Sequence, residues 1–228
     1  VISQVTGKRA LTDRLLNSWK SLIHERTIIC DKLNCQYAVL IAPNKHCVYP
    51  SYLPDGILVS NQRPAVQLAN SITNVYYPLQ PLKAFKNPYA YYKNDTHWNS
   101  LGACCAWNNF FIHFYGKYDV FIDTAKVEEY TPLYNDLGSK VSSYSMPQSH
   151  RVLHSFTSSQ IYNNFIRNTG NIQIYNNKNK QLKRGVVFGD SFTNAQPPYI
   201  AEFFSELYFF WFPCVYSEVV HKIRPDIV

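Results

Sequence analysis

Between Leu11 and about Lys32 the apolar residues Leu11, Leu15, Leu16, Trp19, Leu22 and Ile23 recur three and four positions apart, a spacing that predicts an amphipathic helix. Residues 37–42 are apolar throughout and run into Pro43-Asn44-Lys45-His46. They read as a buried strand that the proline turns out of the sheet. Pro50, Pro54 and Asp55-Gly56 break the next stretch into turns; a short helix is expected over residues 64–75 and an extended segment over 76–87. Helical spacing returns at Leu101, Cys104, Cys105, Trp107, Asn108, Phe111 and Ile112, with Asn99 or Ser100 as the N-cap. Residues 120–150 read as strands and loops of no fixed order. After an Asn-rich stretch with the turn Asn168-Thr-Gly170, a second buried strand is expected at Gly185-Val-Val-Phe188. It enters Gly189-Asp190-Ser191-Phe192, and an amphipathic helix is expected from about Tyr199 to Phe210. The closing Pro225-Asp-Ile-Val228 reads as the entry to a further buried strand.

A chain of 228 residues that is 46% apolar and only 16% charged has the composition of a packed protein, and one α/β domain over residues 1–228 is expected. The most lipid-like stretch, residues 199–216, is too short and carries Glu202 and Glu206, so it does not read as a membrane span. No secretory signal opens the chain, although one trimmed at its N-terminus would look the same, and the abrupt end leaves room for the native protein to continue. The net charge of +7 is scattered except for Lys178, Lys180, Lys183 and Arg184. That run reads first as a solvated loop and second as an attraction to an anionic polymer, an acidic polysaccharide as readily as a nucleic acid. The basic residues do not cluster with stacking aromatics, which disfavours a nucleic-acid module. The six cysteines show no zinc-ribbon spacing. Cys30 and Cys35 could bridge in an oxidising compartment, and the compartment stays open.

Two short motifs carry the candidate chemistry. Ser191 follows a buried strand on a turn opened by Gly189, the setting that projects a nucleophilic hydroxyl at the carboxyl edge of a sheet. Amides at the start of the following helix would hold an oxyanion. Asp95 and His97 stand two apart ahead of a helix, so that in an extended segment the carboxylate and imidazole share a side. Each motif alone has a plainer reading, a small-residue turn for one and a capping Asp beside a surface His for the other. Their presence in one chain favours the chemical reading.

Asp95-Thr-His-Trp98 followed by Asn99-Ser-Leu-Gly102, with Val187-Phe-Gly-Asp-Ser-Phe192 later in the chain, resembles the SGNH-hydrolase-like domain of the alginate O-acetyltransferase group and its Asp-x-His-Trp relatives. Residues 41–50 with Leu53-Pro54 are similar to that family's first strand and loop, and Arg224-Pro-Asp-Ile-Val228 to the start of its final core strand. The resemblance implies a three-layer α/β/α sandwich with a mostly parallel, flavodoxin-like sheet and a permuted motif order. It assigns Ser191 as nucleophile, His97 as general base and Asp95 as its orienting carboxylate, with no metal and no cofactor. It further implies a polysaccharide acceptor, an acetyl donor, a membrane acyltransferase that hands over the acetyl group, and a periplasmic or cell-envelope location. The oxyanion donors of ordinary SGNH enzymes have no recognisable counterpart in the sequence.

Asn44 and Lys45 at the end of the first strand are candidate substrate contacts, with a plain loop role as the other reading. Tyr91 and Tyr92 beside the Asp-His element are candidate sugar-stacking rings or core residues. The rival to acyl transfer is a carbohydrate-binding or polysaccharide-assembly protein that keeps the fold and lets the triad idle.

Overall fold

The computed structural model describes residues 2–116, 118–132, 136–140 and 147–228. Its helices are α1 (Ile2–Val5), α2 (Asp13–Asp31), α3 (Lys45–Val48), α4 (Pro64–Ser71), α5 (Leu79–Lys83), α6 (Ser100–Tyr115), α7 (Ser191–Asn194), α8 (Pro197–Ala201) and α9 (Ser217–Ile223). Its strands are β1 (Val39–Leu40), β2 (Val75–Tyr76), β3 (Val127–Tyr130), β4 (Ser149–Val152), β5 (Ser158–Asn163), β6 (Ile172–Asn177), β7 (Arg184–Phe188) and β8 (Glu206–Phe210). The protein is α/β with mixed sheets. No helix among the described residues is long and apolar enough to cross a membrane.

The apolar run at residues 37–42, expected as a buried strand, is half-buried beyond Tyr37 and forms a strand only at Val39–Leu40, and its alternation decides what packs on each face. Ala38 and Leu40 lie against the aromatic cluster of α6, with Phe110, Phe111, Phe203 and Phe204. Tyr37, Val39 and Ile41 lie with Ile23 and Cys30 of α2 and Leu68 of α4. Period-two alternation thus meets helices on both sides. β1 pairs in parallel with β2. The chain's last residues join this pair to β7: Gln36 N donates to Asp226 O at 2.9 Å, Val228 N to Gln36 O at 2.8 Å and Val186 N to Ile227 O at 2.9 Å.

The mostly parallel, flavodoxin-like sheet expected from the resemblance is not seen among the described residues. Among the described residues the sheets are small, of two, two and four strands, the largest in the order β5-β6-β8-β7. β7 and β8 are parallel, but β6 runs antiparallel to both β5 and β8, and β3 antiparallel to β4. A short connection through Asn168-Thr-Gly170 returns the chain beside itself and dictates an antiparallel hairpin. The helix expected from Tyr199 to Phe210 stops at Ala201, and Glu206–Phe210 is a strand. β6 and β7 flank this aromatic, β-prone segment and offer it two ladders, and pairing overrides the helical spacing. Glu202 does not face solvent: it is 3% exposed and accepts from the amides of Thr157 and Ser158 and from His154 Nε2 at 3.0 Å. All six cysteines are free, Cys30 and Cys35 among them.

α6 is the element that positions the site. Asn99 caps it, accepting from Gly102 N at 3.1 Å, and nearly every residue from Ser100 to Phe111 is buried. Ser100 Oγ accepts from Val152 N of β4, and Asn108 makes paired hydrogen bonds with the backbone of Ile122. Its first turn lies so close to the preceding loop that a Cβ on Gly102 would meet Ala90 O at 2.2 Å and Trp98 Cβ at 2.8 Å. Gly102→Ala is expected to cost about 1–3 kcal/mol by overpacking. Urea unfolding of the two proteins checks it, an unchanged midpoint being the contrary result.

Candidate active site

Residues 90–99 fold back on themselves through a bridge between Tyr91 and Trp98, with Asn99 N donating to Ala90 O at 3.0 Å. Asp95 sits in the turn of this small hairpin yet points inward and is 5% exposed. Its Oδ1 accepts from His97 N at 2.8 Å and from His97 Nδ1 at 2.6 Å, and its Oδ2 accepts from Asp136 N at 2.7 Å. Asp95 and His97 therefore meet across a turn closed by the Asp95 side chain, the habit of Asx residues, and not along an extended strand.

Burial pushes the Asp95 carboxyl up, but the hydrogen bonds from His97 and the two backbone amides outweigh it and hold the group below its ordinary 3.8. His97 is raised above 6.5: the Asp95 hydrogen bond dominates, burial opposes it, and the charges of Asp95, Asp136 and Asp190 add to it. With Nδ1–H donated to a carboxylate, the neutral ring keeps its lone pair on Nε2. That is the arrangement of a general base.

Lys45 was a candidate substrate contact, and its ammonium is committed elsewhere. Nζ donates to Tyr92 O at 2.5 Å, Lys93 O at 2.7 Å and Asp95 O at 3.2 Å, which uses all three donors of the group. It clamps the turn that carries Asp95. Tyr91 is 2% exposed and donates to Pro43 O at 2.5 Å, so its ring is core. The Tyr92 hydroxyl shares a hydrogen bond with Tyr130 at 2.9 Å and accepts from Gln196 Nε2 at 3.2 Å. Asn44 is exposed, and it lines a cleft of about 430 Å³ together with Lys45 and Tyr91 and with Tyr52, Tyr89, Lys93 and Asp95.

Ser191 is the first residue of α7, and Asp190 caps that helix by accepting from Phe192 N at 2.9 Å. Gly189 is required for a close approach, since a Cβ there would lie 2.5 Å from Thr193 Oγ1. The serine turn docks on the Asp-His hairpin through its next residue. The Phe192 ring lies 4.9 Å from the His97 ring and 5.3 Å from the Trp98 ring, and Trp98 Nε1 donates to Phe192 O at 2.9 Å. Asp190 is close enough to raise the His97 pKa. No hydrogen bond joins Ser191 Oγ to His97 among the described residues.

Asp136 escaped sequence reasoning. Its amide serves Asp95, its Oδ1 accepts from Thr96 N at 2.8 Å, and its Oδ2 takes the Thr96 hydroxyl and stands 3.7 Å from His97 Nδ1. It lies in an irregular stretch with no periodicity and no motif. Asp95, His97 and Asp136 are near enough to surround a cation, but the carboxylate oxygens and the ring Nδ1 already serve as hydrogen-bond partners to one another and to the backbone. This donor set fits proton chemistry better than metal binding.

The raised His97 pKa has a signed consequence. The extra stability it contributes is fully present below the unfolded value of about 6.5 and is lost as pH rises through the higher folded value. In Asp95→Asn the His97 titration, followed by the NMR signal of its ring proton, should move down from the wild-type position. An unmoved titration would show that the carboxylate does not act on the ring.

Solved structures that share this fold include a DHHW family protein from Eubacterium siraeum, with a TM-score of 0.67 at 17% identity over 92% of this chain and 82% of that one. PatB1 of Bacillus cereus matches with a TM-score of 0.67 at 16% identity over 93% and 87% of the two chains. The same protein with a sulfonyl adduct matches with a TM-score of 0.68 at 17% identity over 93% and 86%. No protein-family model matches the chain, and no curated protein matches it in sequence. At such identities the likeness establishes a common fold, and the chemistry rests on the residues themselves.

Proposed function

We propose that this chain is a serine-dependent acyl-transfer enzyme, moving an acetyl group onto or off a polysaccharide hydroxyl through an ester on Ser191. The observation that carries the reading is the 2.6 Å contact between His97 Nδ1 and the buried Asp95 carboxylate, beside a strand-end serine whose neighbour Phe192 packs on the His97 ring. The motif supports it too: the E. siraeum structure belongs to a family whose name spells Asp-His-His-Trp, and this chain reads Asp95-Thr-His97-Trp98.

A serine hydroxyl is a weak nucleophile at neutral pH. In the proposed mechanism, His97 Nε2 takes the proton as Ser191 Oγ attacks the acyl carbonyl, and Asp95 steadies the imidazolium. Collapse of the tetrahedral intermediate expels the donor's oxygen, which leaves with the proton held by His97. An incoming sugar hydroxyl or water then gives its proton to His97 and takes the acyl group, regenerating Ser191. The tyrosine-lined cleft beside Asp95 and Thr96, with Asn44 and Lys93 on its wall, is suited to the acceptor, since tyrosine rings offer an apolar face and a polar edge to a sugar. That cleft equally suits the second reading, a carbohydrate-binding protein without turnover.

Ser191→Ala and His97→Ala should each lower acetyl-ester turnover and acetyl transfer to an oligosaccharide by about 10⁴–10⁶, with the double variant little worse, because the residues act as a unit. Rates should rise with pH through an apparent pKa above 6.5, the neutral ring being the active form. A Ser191→Ala protein that keeps a tenth or more of the wild-type rate in both assays removes the enzyme reading. Retained oligosaccharide binding would then favour the second.

A further inference from the structure

We propose that the cleft between β1 and β7 is a strand-acceptor site, which takes an extended apolar segment running on from Val228. The two walls are bridged at one end of the cleft. Gln36 and Gly185 each pair in parallel with Ile227, so β1 and β7 stand about 9.5 Å apart, two ladder spacings with one strand between them. Val228 N donates to Gln36 O at 2.8 Å, and Val228 O accepts from Ala38 N at 2.9 Å. Past Val228 the two strands border a cleft of about 470 Å³. Val39, Ile41 and Gly189 give their N–H groups to the outer neighbours, at Asn74 O, Tyr76 O and Phe210 O. Strand alternation therefore turns Ala38 O and Leu40 N into the cleft from β1, and Val186 O and Phe188 N from β7. Those four groups have no hydrogen-bond partner among the described residues.

The walls specify what fits. Ile227 packs with the aromatic cluster of α6 and Val228 with residues of α2, so successive residues on this line meet apolar surface on alternate faces. Further along, Trp107 and Phe110 of α6 line one face of the cleft and Trp19 and Ile23 of α2 the other. Trp19 is 42% exposed there. A parallel strand covered on both faces is a continuous apolar run, and about five such residues carry it from Val228 to the level of Ala42. Arg26 and Asp190 also line the cleft, and each is engaged: Arg26 donates to the Tyr37 hydroxyl at 3.1 Å, and Asp190 accepts from Phe192 N at 2.9 Å. The occupant is selected by the ladder and not by charge. A lipid chain would match the apolar faces but leave the four backbone groups unpaired away from water, which is costly. A strand from another molecule would have to set its own N-terminus against Val228 inside the ladder. A segment joined to Val228 enters with direction and register already fixed.

Gly189, Phe192 and Thr193 line the cleft as well. A strand lying in it braces β7 from the side opposite β8, and with it the turn that carries Ser191.

The test compares three proteins by amide hydrogen exchange and thermal melting. One is the 228-residue chain, one is the same chain carried on from Val228 by Val-Ile-Val-Ile-Val, and one is carried on by Gly-Ser-Gly-Ser-Gly. The apolar extension should slow exchange at the Leu40 and Phe188 amides by about a hundredfold or more and raise the melting temperature by about 5 °C or more. The Gly-Ser extension should do neither. Unchanged exchange at either amide, or a lower melting temperature, overturns the proposal. So does equal protection of the 228-residue chain by the free acetylated apolar peptide at micromolar concentration, which would assign the cleft to a partner's strand. Equal protection by decanoate would assign it to a lipid chain and overturns the proposal too. None of these readouts uses acyl transfer, so the result stands apart from the proposed reaction.

Discussion

The arrangement of the site follows from one buried carboxylate. Asp95 lies at the turn of a hairpin, 5% exposed, where an unpaired charge would be untenable. It is satisfied by His97 N, His97 Nδ1 and Asp136 N, and those three donors fix the turn, the orientation of the imidazole and the docking of a loop some forty residues away in sequence. Taking away one partner of a buried charged pair commonly costs about 3–5 kcal/mol. The same hydrogen bonds that hold the hairpin together therefore also fix the tautomer and basicity of His97. Lys45 completes the constraint from below, its ammonium spread over three carbonyls of the turn.

The second constraint joins two regions distant in sequence. Trp98, 1% exposed, packs under the hairpin and donates its indole N–H to the carbonyl of Phe192, while the Phe192 ring covers His97. The strand-end serine is thus referred to the Asp-His pair through a tryptophan, a phenylalanine and one hydrogen bond. Gly102 lets α6 approach Ala90 closely enough to seat Trp98, and Gly189 lets the serine turn close on Thr193. A methyl group at Gly102 would disturb the hairpin that carries Asp95 and His97, and one at Gly189 the turn that carries Ser191.

Local patterns made part of this legible in the sequence. Helical spacing with an asparagine cap announced α6, and an unbroken apolar run announced the short strand at Val39–Leu40, which is half-buried and not fully buried. The motifs Asp-Thr-His-Trp and Gly-Asp-Ser pointed to residues that the fold draws together, because their chemistry is carried within a few positions. Pairing was not legible: the segment from Glu206 to Phe210 has helical spacing and aromatic, β-prone composition at once, and only its neighbours β6 and β7 decide between them. The same holds for Asp136, which matters through an amide that no pattern marks, and for Lys45, whose three acceptors are carbonyls nearly fifty residues away.

Activation of Ser191 by an Asp95-oriented His97, as proposed, can be read by covalent capture without any assumption about acyl donor or acceptor. A sulfonyl fluoride reacts with an activated serine by forming an oxygen–sulfur bond and releasing fluoride. Intact-mass measurement followed by peptide mapping of the treated protein should find one sulfonyl group, on Ser191, formed quickly in the wild type and about a thousandfold more slowly or not at all in His97→Ala. Labelling that falls on another residue, or that proceeds at the same rate without His97, would show that His97 does not activate Ser191.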